Sequence, residues 1–191
     1  MDDGRSWRSP GYEQDDSHPV TCISWNDAQS YLHWLADKTG RKYRLLSASE
    51  WEYAARAGIA NNAATAVDPT RICESANVAD LTTGATYPGW AHFDCKDNFI
   101  HTAPVGSFQA NAFGIYDMIG NVFEWVTDCW NDTYAQAPLD GSAWMDGDCG
   151  QRVLRGGSWF TPPRYVRAAF RNRFDADYRG SSFGFRVARL P

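Results

Sequence analysis

The last forty residues, 152–191, constrain the fold more than any other stretch, because they join a glycine pair to two alternating segments. They read RVLRGGSWFTPPRYVRAAFRNRFDADYRGSSFGFRVARLP. Apolar residues recur at every second position within 166–174 and within 184–190, and this alternation is typical of half-buried strands. The turn-like DADYRGSS separates the two segments. We therefore predict two strands joined by a turn, with Gly156 and Gly157 allowing close backbone approach within the sheet.

Two amphipathic helices are predicted upstream, over 24–40 and 44–58. Apolar residues in each recur near the helical period of roughly 3.6 residues, which places them on one face. Polar caps and stop glycines set the bounds. These are Ser24 or Asn26 and Gly40 for the first helix, and the Ser47–Glu50 capping box and Gly58 for the second.

The other segments predict strands, turns and loops. Residues 1–19 are polar and contain Gly and Pro, so we expect an extended surface arm, followed by a short strand at 20–23. Residues 59–101 show no periodicity and are expected to be irregular. A turn at 117–121 leads into a strand at 122–126. This mixture of elements predicts an α+β fold.

The composition fits one domain with a sizeable core, since the chain has 191 residues. Its 16 glycines and nine prolines favour short elements joined by turns over a helical bundle. Its apolar runs are shorter than the roughly 18 residues that a spanning helix needs, so we expect no membrane span. The first residues also lack the apolar stretch of a secretory signal.

Charge is distributed unevenly along the chain. The terminal forty residues carry nine arginines and two acids, a net +7, whereas the remainder carries nine basic and 21 acidic residues, a net −12. This asymmetry predicts either a partner-facing surface or arginines that pair internally with the acidic body. Nucleic-acid binding is not expected, because the whole chain is acidic, has few lysines and shows no helix-turn-helix or RNA-binding motif.

Five cysteines occur without any CxxC pair, which argues against a zinc ribbon or a thioredoxin-type site. Cys73 with Cys95, and Cys129 with Cys149, each bracket a loop-rich stretch, the second being the Gly- and Asp-rich loop 131–150. Two local disulfides in an extracytoplasmic or cell-surface protein are therefore one interpretation. Five reduced thiols in a cytosolic protein are the other. Cys22 lies in an apolar run and is expected to be a buried thiol.

Metal-centred redox chemistry and serine catalysis have little support in the sequence. The four histidines are scattered, without the spacing of a facial triad or an HExxH helix. Ser158 follows two glycines, but no residue pattern marks a general base for it.

Four motifs together resemble the formylglycine-generating enzyme (sulfatase-modifying factor) family. They are HPVTCISWNDA at 18–28, RLLSASEWEYAARAG at 44–58, RVLRGGSW and GFRVAR. The resemblance implies one domain over 1–191 with a C-type-lectin-like fold, a small twisted antiparallel sheet, two helices and many loops. It also implies an N-terminal strand region that precedes residue 1. The family's copper oxidases have two cysteines after GGS; Thr161 and Val166 stand at those positions, so no copper is expected.

The resemblance further implies structural calcium. One site is expected from carboxylates and carbonyls of a tight turn, and a second from two neighbouring loops, since calcium takes six to eight oxygen ligands. The implied ligands are Asp117, Gly120, Val122 and Glu124 at the first site, and Asn77, Val78, Asp97 and Phe99 at the second. The alternative is a hydrogen-bonded turn without metal.

The residue set of the terminal segment also resembles the variable proteins of diversity-generating retroelements, which diversify such a scaffold between GGSW and GFR. Aromatic residues with small polar neighbours are effective binding-surface chemistry. The expected ligand-binding positions are Trp159, Phe160, Thr161, Arg164, Tyr165, Phe170, Asn172, Phe174, Asp177, Tyr178, Gly180, Ser181 and Ser182. We therefore predict a non-catalytic protein that binds a protein or another surface ligand through 152–191. The alternatives are an oxidoreductase of the same family and an accessory module.

Overall fold

The computed structural model describes residues 4–59, 69 and 71–190. Its elements in chain order are α1 (Trp25–Thr39), β1 (Tyr43–Arg44), α2 (Ala48–Arg56), α3 (Ile72–Ser75), α4 (Leu81–Thr86), β2 (Phe123–Trp130), β3 (Asp148–Arg155), a 3-10 turn (Pro163–Tyr165), β4 (Asn172–Asp175), β5 (Phe183–Phe185) and β6 (Ala188–Arg189). The predicted α+β class is confirmed. The expected irregular stretch contains α3 and α4, while its residues 60–68 and 70 lie outside the described part.

The main sheet has the order β4-β3-β2-β5, and a second small sheet pairs β1 with β6. Three of the four strand pairs are antiparallel, as predicted, but β2 and β5 run parallel, with Phe123 opposite Phe183. Parallel neighbours cannot be joined by a tight turn, so the long connection 131–182 carries the chain across the sheet. The sheet is therefore mixed, and the terminal segment enters it at both edges.

The two long helices cover opposite faces of this sheet. Ala28 and Leu32 of α1 share a core with Trp125 of β2, whereas Trp51 of α2 packs with Val126, the next residue along the same strand. Side chains on a strand alternate between its faces, so neighbouring residues serve two different cores. Trp51 and Trp125 are both almost completely buried.

The predicted bounds of α1 and the capping box that starts α2 are confirmed, but Arg44, which was predicted to lie in the second helix, pairs with Ala188 in β1. Ser24 and Ser47 each accept a hydrogen bond from the third helical amide in a complete capping box, and Gly40 closes α1 in the left-handed region. The prediction that Gly58 ends α2 was wrong by one residue. Ala57 takes the left-handed cap at φ 47°, and its amide donates to the Tyr53 carbonyl.

Two strand predictions were wrong. Residues 20–23 form no strand, because Cys22 has φ 56° and donates its amide to the Gly180 carbonyl in the terminal loop. Residues 166–171 form turns, in which the Phe170 amide donates to the Arg167 carbonyl, and only 172–175 join the sheet. The adjacent prolines 162 and 163 start the 3-10 turn and prevent an early ladder. The final predicted strand is divided into β5 and β6.

Two further expectations are confirmed. Gly156 has φ 91°, and a Cβ at that position would lie 3.1 Å from the Trp51 ring, so the glycine pair does allow close approach. Disulfides join Cys73 to Cys95 and Cys129 to Cys149, while Cys22 is a buried thiol that belongs to neither disulfide. In the part of the chain that the structure describes, no helix has the length and apolarity to cross a membrane.

Candidate ligand-binding surface of the terminal segment

The thirteen predicted ligand-binding positions differ in exposure. Arg164, Asp177 and Tyr178 are exposed, and six others are half-buried. The four buried positions are Trp159, Thr161, Gly180 and Ser182. Gly180 is held by close packing, since a Cβ there would lie 2.9 Å from the Phe183 ring. The structure thus separates positions that face outward from positions that hold the segment together.

A cavity of about 1170 Å³ lies beside the turn that joins β4 to β5. Four of the predicted positions line it, namely Asp177, Tyr178, Gly180 and Ser181. The opposite wall comes from the N-terminal arm (5–7), the 20–23 segment and α1. Trp7, Tyr31 and Tyr178 on these walls are 52%, 44% and 40% exposed. The terminal segment therefore forms one side of an open, aromatic-lined cavity.

The N-terminal arm is fixed to the terminal segment by polar contacts. The Tyr12 hydroxyl donates to the Ser181 carbonyl, and Arg5 Nη1 donates to the Ser181 hydroxyl at 3.5 Å. Burial raises the pKa of Tyr12, so its hydroxyl stays protonated. On the cavity wall, Arg179 forms a two-bond ion pair with Asp27 of α1, at 2.7 and 2.8 Å. These contacts hold both walls in place.

A second group of rings surrounds Trp159 and Phe160. His101 lies edge-on to Trp159 with ring centroids 4.8 Å apart, and Trp90 packs against both Trp159 and Phe160 at 6.3 and 6.0 Å. Tyr87 stacks on Trp90 at 4.4 Å and bonds His101 Nε2 through its hydroxyl at 2.8 Å. Burial lowers the pKa of His101, which favours the neutral imidazole.

Local sequence patterns do not predict this ring cluster. Tyr12, Tyr87, Trp90 and His101 come from segments without periodicity, and only the tertiary fold brings them to Trp159. The many aromatic residues were the one available signal. Farther along the terminal segment, Tyr165 packs on Phe170 at 4.9 Å, and Phe174 stacks on Tyr178 at 4.8 Å. The predicted positions thus form several adjoining aromatic patches.

Most terminal arginines are engaged within the molecule. Four form ion pairs with the acidic body, and four lie over aromatic rings. The ion pairs are Arg155–Glu52, Arg173–Asp132, Arg179–Asp27 and Arg186–Glu124; the ring contacts are Arg152–Trp25, Arg164–Tyr165, Arg167–Phe170 and Arg171–Trp130. Internal pairing therefore accounts for much of the charge asymmetry.

The two positions that correspond to the copper cysteines have structural partners. Thr161 Oγ1 accepts a hydrogen bond from the Ser158 amide at 2.8 Å, which closes the turn after the glycine pair. Val166 packs in a buried cluster with Ile72 and Val78. Neither side chain offers the thiolate that a soft copper ion prefers. The expectation of no copper stays a prediction, and these two side chains support it.

The first predicted calcium turn contains a guanidinium group. Arg186 Nε donates to Glu124 Oε2 at 2.6 Å, and Arg186 Nη2 donates to Glu124 Oε1 at 2.5 Å. The same Nη2 contacts the carbonyls of Asp117 and Tyr116 at 3.1 and 3.2 Å. Trp51 Nε1 also donates to Glu124 Oε2 at 2.6 Å. Both carboxylate oxygens of Glu124 are thus already engaged by donors, so the charged ligand of this turn does not fit the ion well.

The second predicted site fits a cation better. Asp97 accepts hydrogen bonds from the Val78 and Phe99 amides at 2.9 and 2.8 Å, and its own amide donates to Asp80 Oδ2. Both carboxylates are buried, and no basic group lowers the pKa of Asp97. Asn77 Oδ1 is buried without a hydrogen-bond donor. This oxygen-rich, acidic setting suits a hard cation, and it adds Asp80 to the predicted residues.

We expect the metal-free protein to lose stability as pH rises towards 7. Burial and neighbouring Asp80 raise the pKa of Asp97 to about 7, against 3.8 unfolded. The folded state therefore binds more protons between these values, and raising the pH from 5 to 7 costs about 2–3 kcal/mol of unfolding free energy. Urea titrations in chelator at several pH values measure this slope. Asp97→Asn should flatten it, whereas exposed Asp132→Asn should not; equal slopes in all three proteins would contradict the assignment.

Fold and surface together describe an α+β scaffold with short strands, two capped helices and long loops. The sequence profile of the sulfatase-modifying factor enzyme 1-like domain matches residues 2–191, and the chain belongs to this family. It is 32% identical to the formylglycine-generating enzyme of Streptomyces coelicolor, over 97% of this chain and 58% of that protein. It is 34% identical to the serine/threonine-protein kinase Pkn1 of Chlamydia trachomatis, over 97% of this chain and 26% of that protein. The chain thus spans only part of these relatives.

Two solved structures share the architecture. PvdO from Pseudomonas aeruginosa superposes with a TM-score of 0.81 at 43% identity, covering 94% of this chain and 65% of that one. Treponema denticola variable protein 1 superposes with a TM-score of 0.75 at 22% identity, covering 95% and 74%. The second likeness is one of fold. Both support the expected formylglycine-generating-enzyme-type scaffold.

Proposed function

We propose that the chain is a non-catalytic ligand-binding protein whose terminal segment supplies the binding surface. The cavity beside the β4–β5 turn carries this proposal. Its volume of about 1170 Å³ slightly exceeds the roughly 300–1,000 Å³ of small-molecule pockets, which favours an extended ligand such as a peptide segment of a partner protein. Exposed Trp7, Tyr31 and Tyr178 supply contact area at low entropic cost.

The framework around this surface is suited to holding it rigid. Disulfide Cys73–Cys95 closes the loop that contains Asn77 and Val78 and ends two residues before Asp97, and Cys129–Cys149 closes the loop between β2 and β3. As part of this proposal, calcium at Asn77, Val78, Asp97 and Phe99 stiffens the first of these loops. A rigid binding surface loses less conformational entropy when it takes up a ligand.

Diversification, if it acts on this segment, is confined to the outward-facing positions. The exposed Arg164, Asp177 and Tyr178 have room to vary, whereas Gly180 and buried Ser182 do not. The similarity to a protein named a variable protein supports this version of the proposal. A near-copy of the terminal coding segment that differs mainly at adenines would establish it. A locus without such a copy and without a reverse transcriptase would refute it.

The binding surface can be located with a displayed random peptide library selected on the intact, oxidised chain. We expect an enriched peptide to slow amide hydrogen exchange at 174–182 and 20–23, which form facing cavity walls. Protection confined to the outer face of α2 would contradict the proposal.

Oxygen uptake with copper and a cysteine-containing peptide tests the non-catalytic part. We expect no copper-dependent turnover, and robust turnover would mean an oxidase.

A further inference from the structure

We infer that the Arg186 guanidinium is the resident cation of the 117–124 turn and excludes calcium from it. Glu124 is almost fully buried, and both of its carboxylate oxygens accept from Arg186. Calcium needs six to eight oxygens at about 2.3–2.6 Å, and a buried carboxylate that is already paired cannot supply two of them without losing the arginine. A second cation beside the guanidinium would also meet like-charge repulsion.

The guanidinium contacts the turn at more than one point. Its Nη2 reaches the carbonyls of Asp117 and Tyr116, and Asp117 Oδ2 is taken by the Gly106 amide at 2.7 Å. The Glu124 carboxylate and the Tyr116 and Asp117 carbonyls thus converge on one positively charged group. This set of oxygens resembles the ligands of a hard cation. Arg186 therefore neutralises Glu124 from within the chain.

This arrangement has a consequence for the terminal segment. Arg186 directly follows β5, while Glu124 lies on the neighbouring strand β2, and the Glu124 side chain is also fixed by Trp51 of α2. One ion pair hence joins the terminal segment, the central strand and a helix. The attachment of the terminal segment at this edge does not depend on calcium, and any calcium dependence arises from the separate Asp97 region.

Calcium and terbium titrations of Asp97→Asn and of four variants built on it test this inference. In Asp97→Asn, which removes the other candidate site, we expect no calcium binding by calorimetry and no terbium emission sensitised by Trp51. Arg186→Gln should lower Tm by about 6–12 °C, because a buried charge loses its partner. Millimolar calcium should restore part of that loss, and adding Glu124→Gln should abolish the recovery. Arg173→Gln, which replaces an exposed arginine in the same Asp97→Asn background, is the matched control and should respond to neither ion.

The opposite outcome is equally clear. Calcium binding that persists in Asp97→Asn and disappears when Glu124→Gln is added would overturn the inference. This arm keeps Arg186 in place, so it decides the question even if Arg186→Gln does not fold. Its result is independent of whether the terminal segment binds a ligand.

Discussion

Arg155→Met is expected to lower the unfolding free energy by about 3–5 kcal/mol, the typical cost of removing one partner of a buried ion pair. The Arg155 side chain is 1% exposed and pairs with Glu52 at 2.6 Å. Its Nη1 also donates to the Ala169 and Phe170 carbonyls at 3.3 and 3.0 Å. The variant leaves these half-buried carbonyls without their donor, which adds to the loss.

Urea unfolding with an unchanged m-value measures this effect. Arg173→Met is the matched control, because Arg173 and its partner Asp132 are 43% and 84% exposed, and such pairs contribute about 0–1 kcal/mol. Amide exchange should also accelerate near Ala169 and Phe170, since Arg155 anchors that turn to the sheet. A loss no larger than that of the control would show that Arg155 does not hold the terminal segment.

Reduction of the two disulfides is expected to cost about 3 kcal/mol for each bond, or about 6 kcal/mol together, because each closes a loop of some twenty residues. The sequence separations are 22 and 20 residues. Urea midpoints with and without reductant measure the total, and the paired Cys→Ser variants divide it between the bonds. Cys22→Ala is the control, since Cys22 belongs to neither disulfide and its variant should keep the full response to reductant.

A thiol count under denaturing, non-reducing conditions checks the premise directly. One reactive thiol, Cys22, is expected. Five reactive thiols together with a midpoint that ignores reductant would support the reduced, cytosolic interpretation instead.

Local signals in the sequence were sufficient for much of the scaffold. Capping boxes at Ser24 and Ser47 and the strand beginning near Val122 depend on neighbours only a few residues away, so they could be predicted. Both disulfides also join cysteines on either side of one loop. These features do not require knowledge of the topology.

Features that depend on distant contacts could not be predicted. The alternation at 166–170 resembles a strand, but Pro162 and Pro163 and the buried Arg155 hold that stretch in turns. The Arg186–Glu124 pair joins residues 62 positions apart, and no periodicity relates them. For the same reason, the rings that meet at Trp159 became visible only in the folded chain.

The affinity of one library-selected peptide for three proteins tests whether the terminal segment is the binding surface. The proteins are the wild type, Tyr178→Ala on the cavity wall, and Tyr53→Ala, which removes an exposed tyrosine on α2. Fluorescence anisotropy should show a Kd for Tyr178→Ala that is at least tenfold weaker. Loss of an aromatic hot-spot contact costs about 2 kcal/mol or more, and each factor of ten in Kd corresponds to about 1.4 kcal/mol. Tyr53→Ala should match the wild type. Equal affinity of Tyr178→Ala and the wild type would contradict the claim that the terminal segment is the binding surface.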